Sequence, residues 1–131
     1  MEKIYYNKIL LGILIRKFPA GVKAITSDSE PLQVVSLRRR KGETVRPHLH
    51  AKRLRRISNT QTCFVAIKGK IKIDIYNNQK KLVKSLTLSP GNFFISLSGG
   101  HAITYLTDSE MIEIKNGPFK EDKVIIMNCA N

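Results

Sequence analysis

Three histidines are the residues of this chain whose types and spacing suggest chemistry. Two of them, His48 and His50, stand two residues apart, and the third, His101, follows the pair Gly99-Gly100. On an extended strand, alternate residues project from the same face, about 6.6 Å apart along the chain. Two imidazoles arranged in this way can bind one metal ion, and a turn elsewhere can supply a third ligand. The pattern indicates where chemistry would take place but does not specify a reaction.

Positive charge is concentrated around the histidine pair. The formal net charge is +13, and nine of the 23 basic residues lie between Arg38 and Arg56, where Glu43 is the only acid. Such a field attracts nucleic acid, phosphorylated small molecules or acidic membrane surfaces. A solvated basic surface that only aids solubility is the alternative. The clustering favours an anionic ligand, and the candidate ligand-binding residues are Arg38, Arg46, Arg53 and Arg55.

Length and composition indicate one cytoplasmic domain. A chain of 131 residues, 42% of them apolar, has enough material for a packed core. Cys63 and Cys129 lack a CxxC spacing, which favours reduced thiols and a cytoplasmic location. The apolar run Ile9–Ile15 is far shorter than the ~20 residues of a membrane span, and no small-residue cleavage site follows it. We therefore expect a buried strand there and no membrane association.

Short strands account for most of the chain. Apolar or alternating runs of about four to eight residues recur between turn residues, and no segment shows a sustained helical period. The strict alternation along Lys70–Tyr76 is typical of a strand with one buried face, and Asn77-Asn78 predicts a hairpin turn after it. The sequence predicts an all-β sandwich or barrel. The expected strands are Ile9–Ile15, Gln33–Arg39, Thr44–His50, Thr60–Lys68, Lys70–Tyr76, Lys81–Leu88, Phe93–Leu97, His101–Leu106, Met111–Lys115 and Val124–Met127.

The histidine pair lies in a pattern that resembles the first motif of the cupin family. Gly42, five further residues and then His48-x-His50 match the start of that motif, and Gly69 after an apolar strand matches its end. The family has a glutamate seven residues before this last glycine. Thr62 stands at that position, and threonine is a poor metal ligand.

The second cupin motif is present in a weaker form. Pro90-Gly91-Asn92 and Gly99-Gly100-His101 match it, whereas Leu97 replaces its proline and the histidine lies one residue closer to Gly91 than is common. The closing strand Met111–Phe119 is similar to that of small single-domain cupins found with surface-polysaccharide and sugar-nucleotide genes. The resemblance implies a double-stranded β-helix (jelly-roll) barrel and a homodimer. It also implies one cupin domain over 1–131, with a core of about 33–119, N-terminal strands within 9–32 and a short tail, 120–131.

The resemblance also implies a set of metal ligands. His48, His50 and His101 fill the histidine positions of the family's site, and such imidazoles suit a divalent transition metal such as Zn, Fe, Ni or Mn. Without the glutamate, the charge of the ion would be balanced by a bound anion, or the ion would lower the pKa of a bound water. Gln61 is expected to face away from Thr62, and an inward Glu113 is a further candidate acid.

Three functions remain open from the sequence. The first is a site for an anionic sugar or sugar-nucleotide, where His48 or His101 is a candidate base if no metal is bound and Tyr105 is a candidate general acid. The second is a non-catalytic module that binds a small anionic metabolite. The third, nucleic-acid binding, is the weakest because no aromatic residues are interleaved with the arginines as a stacking platform. The sequence leaves open whether the protein is an enzyme.

Overall fold

Ten strands joined by turns and loops form residues 1–127, the part of the chain that the computed structural model describes. Every strand pairing in this part is antiparallel, and none of these residues is helical, so the predicted all-β class is confirmed. Within the same residues, no helix is long and apolar enough to cross a membrane. The strands are β1 (Glu2–Tyr6), β2 (Ile9–Ile15), β3 (Val22–Ala24), β4 (Val35–Leu37), β5 (Thr62–Lys68), β6 (Ile71–Tyr76), β7 (Leu82–Leu88), β8 (Phe93–Ser96), β9 (Gly100–Tyr105) and β10 (Glu110–Lys115).

The strands form three sheets. The largest has the order β1-β2-β8-β5-β10, a second has the order β7-β6-β9, and β3 pairs with β4 alone. Strands β9 and β10 therefore each lie at the edge of a sheet. Since neither edge is paired within the described residues, the two larger sheets do not close into a barrel there.

The main core lies between the five-stranded and three-stranded sheets. The alternation predicted along β6 is present, and Ile71, Ile73 and Ile75 are at most 1% exposed. They pack in one cluster with Phe64 of β5 and Phe94 of β8. Burying side chains of this size stabilises the fold by roughly 1.5–3 kcal/mol each. This packing fixes which side of β5, β8 and β9 faces the interior.

A second core covers the opposite face of the five-stranded sheet. It contains Ile13, Ile95 and Cys63, with Ile25 and Val34 from the segment that carries β3 and β4. The thiol of Cys63 is buried, as expected for a small core residue, and burial raises its pKa to about 11. Cys129 lies outside the described residues.

One turn depends on a glycine. Gly69, between β5 and β6, has a φ of +83°, which favours glycine. A Cβ at this position would also lie 2.5 Å from the carbonyl oxygen of Asp108 in the turn between β9 and β10. The glycine predicted to end the first motif therefore allows two turns to pack closely.

Two predicted strands are absent from residues 1–127, and a third, Gln33–Arg39, is shortened to Val35–Leu37. Residues 44–50 and 124–127 have no regular secondary structure, because neither pairs with another strand among residues 1–127. The prediction also omitted β1 and β3. The turn from β1 to β2 uses Asn7 and Lys8 with positive φ, 49° and 67°, so it lacks the glycine that usually marks such a hairpin.

Candidate functional site

Polar side chains form a row on the inner face of the five-stranded sheet. Thr62 of β5 pairs with Ser96 of β8 on one side and with Lys115 of β10 on the other. Since Phe64, two residues after Thr62, belongs to the main core, Thr62 faces the same interior. Thr62 and Ser96 are buried, whereas Lys115 lies at the exposed edge. Glu113 occupies the neighbouring inward position of β10, opposite Phe64, as the sequence suggested.

His101 faces this row from the other sheet. It pairs in register with Ile75, whose side chain belongs to the main core, so the imidazole points between the sheets. The Oγ of Ser96 lies 3.1 Å from its Nδ1, and its ring meets that of Phe64 edge-on at a centroid distance of 4.9 Å. The side chain is half-buried. Together these contacts hold the imidazole against the main core.

The surroundings of His101 favour its neutral form. Burial lowers the pKa of His101 below the ordinary value of 6.5, the negative charge of Glu113 opposes this shift, and the positive charge of Lys115 adds to it. A neutral imidazole has one nitrogen that donates and one that accepts a hydrogen bond. Near pH 7 this ring can therefore bind a ligand hydroxyl or accept a proton.

Gln61 anchors the strand that carries Thr62. Its buried amide accepts a hydrogen bond from the backbone N–H of Leu32 at 2.9 Å and donates to the carboxylate of Glu30 at 2.6 Å. Its backbone N–H donates to the Oδ1 of Asn116 at 2.7 Å. The amide thus joins β5 to the segment that covers the second core, which confirms that Gln61 faces away from Thr62.

His48 and His50 lie apart from this site, in an exposed segment. Residues 38–60 are exposed and contain no strand, and the two rings stand edge-on with their centroids 5.1 Å apart. The Nδ1 of His48 lies 2.7 Å from the carbonyl oxygen of Arg46. Within residues 1–127, no three side chains of His, Cys, Asp or Glu are grouped so as to hold a metal ion. The residues as placed do not fit the metal that the cupin resemblance implies.

The other predicted site residues are dispersed. Arg38 donates from Nη2 to the carbonyl oxygen of Phe18 at 2.8 Å, and Arg46 and Arg53 are exposed on the same segment as the histidine pair. Tyr105, on β9, is 58% exposed. Arg55, by contrast, lines a cavity.

That cavity is an open cleft of about 650 Å³ beside the polar row. One wall comes from the chain before β5 and the other from the chain after β10. A smaller recess continues from it and adds Lys115 to the lining. The cleft is lined by Arg55, Ile57, Ser58, Asn59, Thr60, Asn116, Gly117, Pro118, Lys120 and Asp122.

The chain after β10 is held at two points, Asp122 and Ile126. Thr60 donates from Oγ1 to the carboxylate of Asp122 at 2.9 Å. Further on, a Cβ at Gly100 would lie 2.8 Å from the Cδ1 of Ile126, so this side chain lies against the start of β9, next to His101. The segment therefore borders both the cleft and the imidazole.

Sequence reasoning missed Ser96 and the cleft residues Asn116 and Lys120. Ser96 interrupts an apolar strand, and a polar residue on the inner face of a strand was the available signal. The cleft residues lie in irregular segments that are distant in sequence, so no periodicity marks them.

Comparison with known proteins adds no assignment. The chain matches no family model, and neither the curated proteins nor the solved structures contain a significant match.

Proposed function

We propose that this protein is a cupin-type small-molecule protein that binds or acts on an anionic sugar or sugar-nucleotide at the end of the main core next to His101. The observation that carries the proposal is the half-buried imidazole, which lies within hydrogen-bond distance of Ser96 and within the electrostatic influence of Lys115. A neutral imidazole and buried hydroxyls suit sugar hydroxyl groups, and the ammonium suits a carboxylate or phosphate. The basic 38–56 segment would add long-range attraction for anions.

Two roles use the same groups. In the binding role, His101 and Thr62 donate or accept hydrogen bonds and no bond is broken. In the catalytic role, which applies when no metal is bound, His101 takes a proton from a sugar carbon or returns it, and proton uptake requires the neutral ring that this environment favours. The ordinary pKa of imidazole allows either role at physiological pH.

The proposal also includes the predicted jelly roll and metal site, and both depend on the edge of β9 that is unpaired within residues 1–127. A jelly roll has two sheets built from eight strands, and the three-stranded sheet here ends at β9. We propose that residues 44–50 add a strand to this edge, which would bring His48 and His50 to the sheet that carries His101. Strand addition to an open edge satisfies backbone groups that are otherwise unpaired. Zn, Fe, Ni and Mn are the candidate metals of the assembled site.

Ligand binding tests the site. Isothermal titration of the wild-type protein with a panel of sugar acids and sugar-nucleotides should give binding that His101→Asn and Lys115→Met each weaken by about tenfold, or about 1.4 kcal/mol. Lys3→Met removes an exposed charge on β1 and serves as the matched control. No binding to the panel, or equal losses in all three variants, would refute the proposal.

Metal content tests the additional strand separately. Protein purified without chelators, or loaded with Zn²⁺ and dialysed, should retain about one equivalent, and both His48→Asn and His101→Asn should abolish retention. Retention that survives His101→Asn would place any ion at the exposed pair alone. Light scattering of the same samples tests the predicted homodimer.

A further inference from the structure

We infer that the cleft between the chain before β5 and the chain after β10 is a binding site for a phosphate or diphosphate group. The inference rests on the proposed function and extends it: the ligand would be a phosphorylated sugar or sugar-nucleotide, not a sugar acid. The cleft supplies the phosphate subsite, and the neighbouring His101 region takes the sugar.

The size and lining of the cleft suit such a group. About 650 Å³ lies within the range of ligand sites, roughly 300–1,000 Å³. Arg55 and Lys120 supply two positive charges, and Ser58 adds a hydroxyl. Among residues 1–127, the one acid in the lining is Asp122, which already accepts a hydrogen bond from Thr60. The lining thus combines an excess of positive charge with hydrogen-bond donors, which phosphate oxygens require.

The two cations are available for a ligand. Within residues 1–127, neither Arg55 nor Lys120 takes part in a hydrogen bond or an ion pair with a protein group. An arginine fork binds two phosphate oxygens at once, and a lysine ammonium acts as a point charge beside it. In contrast, Asn116 accepts from the N–H of Gln61 and donates to the carbonyl oxygen of Asn59 at 3.0 Å. Hydrogen bonds therefore join the walls, while neither cation has a partner among the residues that the structure describes.

The cleft lies next to the polar row. Thr60 in its lining stands two residues before Thr62, about 6.6 Å along an extended chain. Thr62 pairs with Ser96, which contacts His101. The recess that continues the cleft includes Lys115, which ends this row. A diphosphate in the cleft would therefore direct an attached sugar toward the imidazole.

Inorganic pyrophosphate tests the cleft without any sugar. Calorimetric titration at fixed ionic strength should detect binding that the double variant Arg55→Gln/Lys120→Gln weakens at least about tenfold. Lys3→Gln/Lys81→Gln removes the same charge from exposed positions elsewhere and should change the affinity less than about twofold. Absence of binding, or equal losses in the two double variants, would overturn the inference, because the net charge alone would then explain the attraction.

His101→Asn separates this inference from the proposed function. The variant should bind pyrophosphate like the wild type and lose affinity only for the complete sugar-nucleotide. If pyrophosphate binding depends on the cleft cations while His101→Asn leaves sugar-nucleotide affinity unchanged, the phosphate site stands and the proposed sugar site fails. If His101→Asn weakens sugar binding while the cleft variants bind pyrophosphate normally, the phosphate site fails and the sugar site stands.

Discussion

The hydroxyl oxygen of Ser96 lies 3.1 Å from Nδ1 of His101 and links the five-stranded sheet to the edge of the three-stranded sheet. The partner of Nδ1 sets the role of the other ring nitrogen. If the serine donates, Nε2 carries the proton and acts as a donor toward a ligand; if Nδ1–H donates, Nε2 is a free base. This hydrogen bond therefore affects both the packing of the sheets and the chemistry of the site.

Replacing Ser96 with alanine should lower the free energy of unfolding by about 1 kcal/mol, since one hydrogen bond of a partly buried group is lost. Urea denaturation measures this difference. Ser85→Ala removes an exposed hydroxyl bonded to Asp74 and should cost less than half as much. A Ser96→Ala variant as stable as the wild type would show that the Ser96–His101 contact makes no net contribution.

The pKa of His101 should respond in opposite directions to its two charged neighbours. Glu113→Gln removes a negative charge that raises the pKa, so the pKa should fall; Lys115→Met removes a positive charge that lowers it, so the pKa should rise. NMR titration of the imidazole carbons gives both shifts. Shifts of the same sign in the two variants would contradict the placement of these side chains around the ring.

The lowered pKa of His101 also makes stability depend on pH. As the pH falls through 6.5, the unfolded chain binds a proton before the folded protein does, so the free energy of unfolding decreases until the folded-state pKa is passed. Above that window the contribution of the neutral ring is fully present. Comparing wild type with His101→Gln by denaturation between pH 8 and pH 5 isolates the effect from that of the acids. If the free energies of unfolding of the two proteins change in parallel with pH, the prediction is wrong.

Replacing the buried amide of Gln61 should lower the free energy of unfolding far more than replacing an exposed amide. Gln61→Leu leaves the backbone N–H of Leu32 and the carboxylate of Glu30 without their partner, at a cost of roughly 2–3 kcal/mol. Gln33 provides a matched control, because its exposed amide also contacts the 27–30 turn. Gln33→Leu should cost below about 1 kcal/mol, and thermal unfolding of the two variants would reveal any reversal of that order.

Gly12 should not tolerate a side chain while Phe94 is present. A Cβ at this position would lie 2.3 Å from the Cζ of that buried ring, so Gly12→Ala should cost about 1–3 kcal/mol through overpacking. Replacing the ring with a smaller side chain should relieve part of this clash. Gly12→Ala should therefore cost less stability in the Phe94→Leu background than in the wild type. Strict additivity in this double-mutant cycle would argue against the contact.

The elements with a strong local signal were predictable from the sequence. The alternation in β6 and the continuous apolar run of β2 predicted both strands and their burial, because each pattern reflects the faces that the core covers. The fate of residues 44–50 depends on a partner strand, and no local pattern contains that information. His101 was found by its residue type, whereas Ser96 and the cleft depend on which strands become neighbours.

Asn116 joins the two walls of the cleft through two hydrogen bonds. One side chain accepts from the backbone N–H of Gln61 and donates to the carbonyl oxygen of Asn59, so it clamps the start of β5 to the end of β10. We therefore expect a displacement of one wall of the cleft to move the other wall as well. A ligand that contacts only one wall should consequently change the position of both.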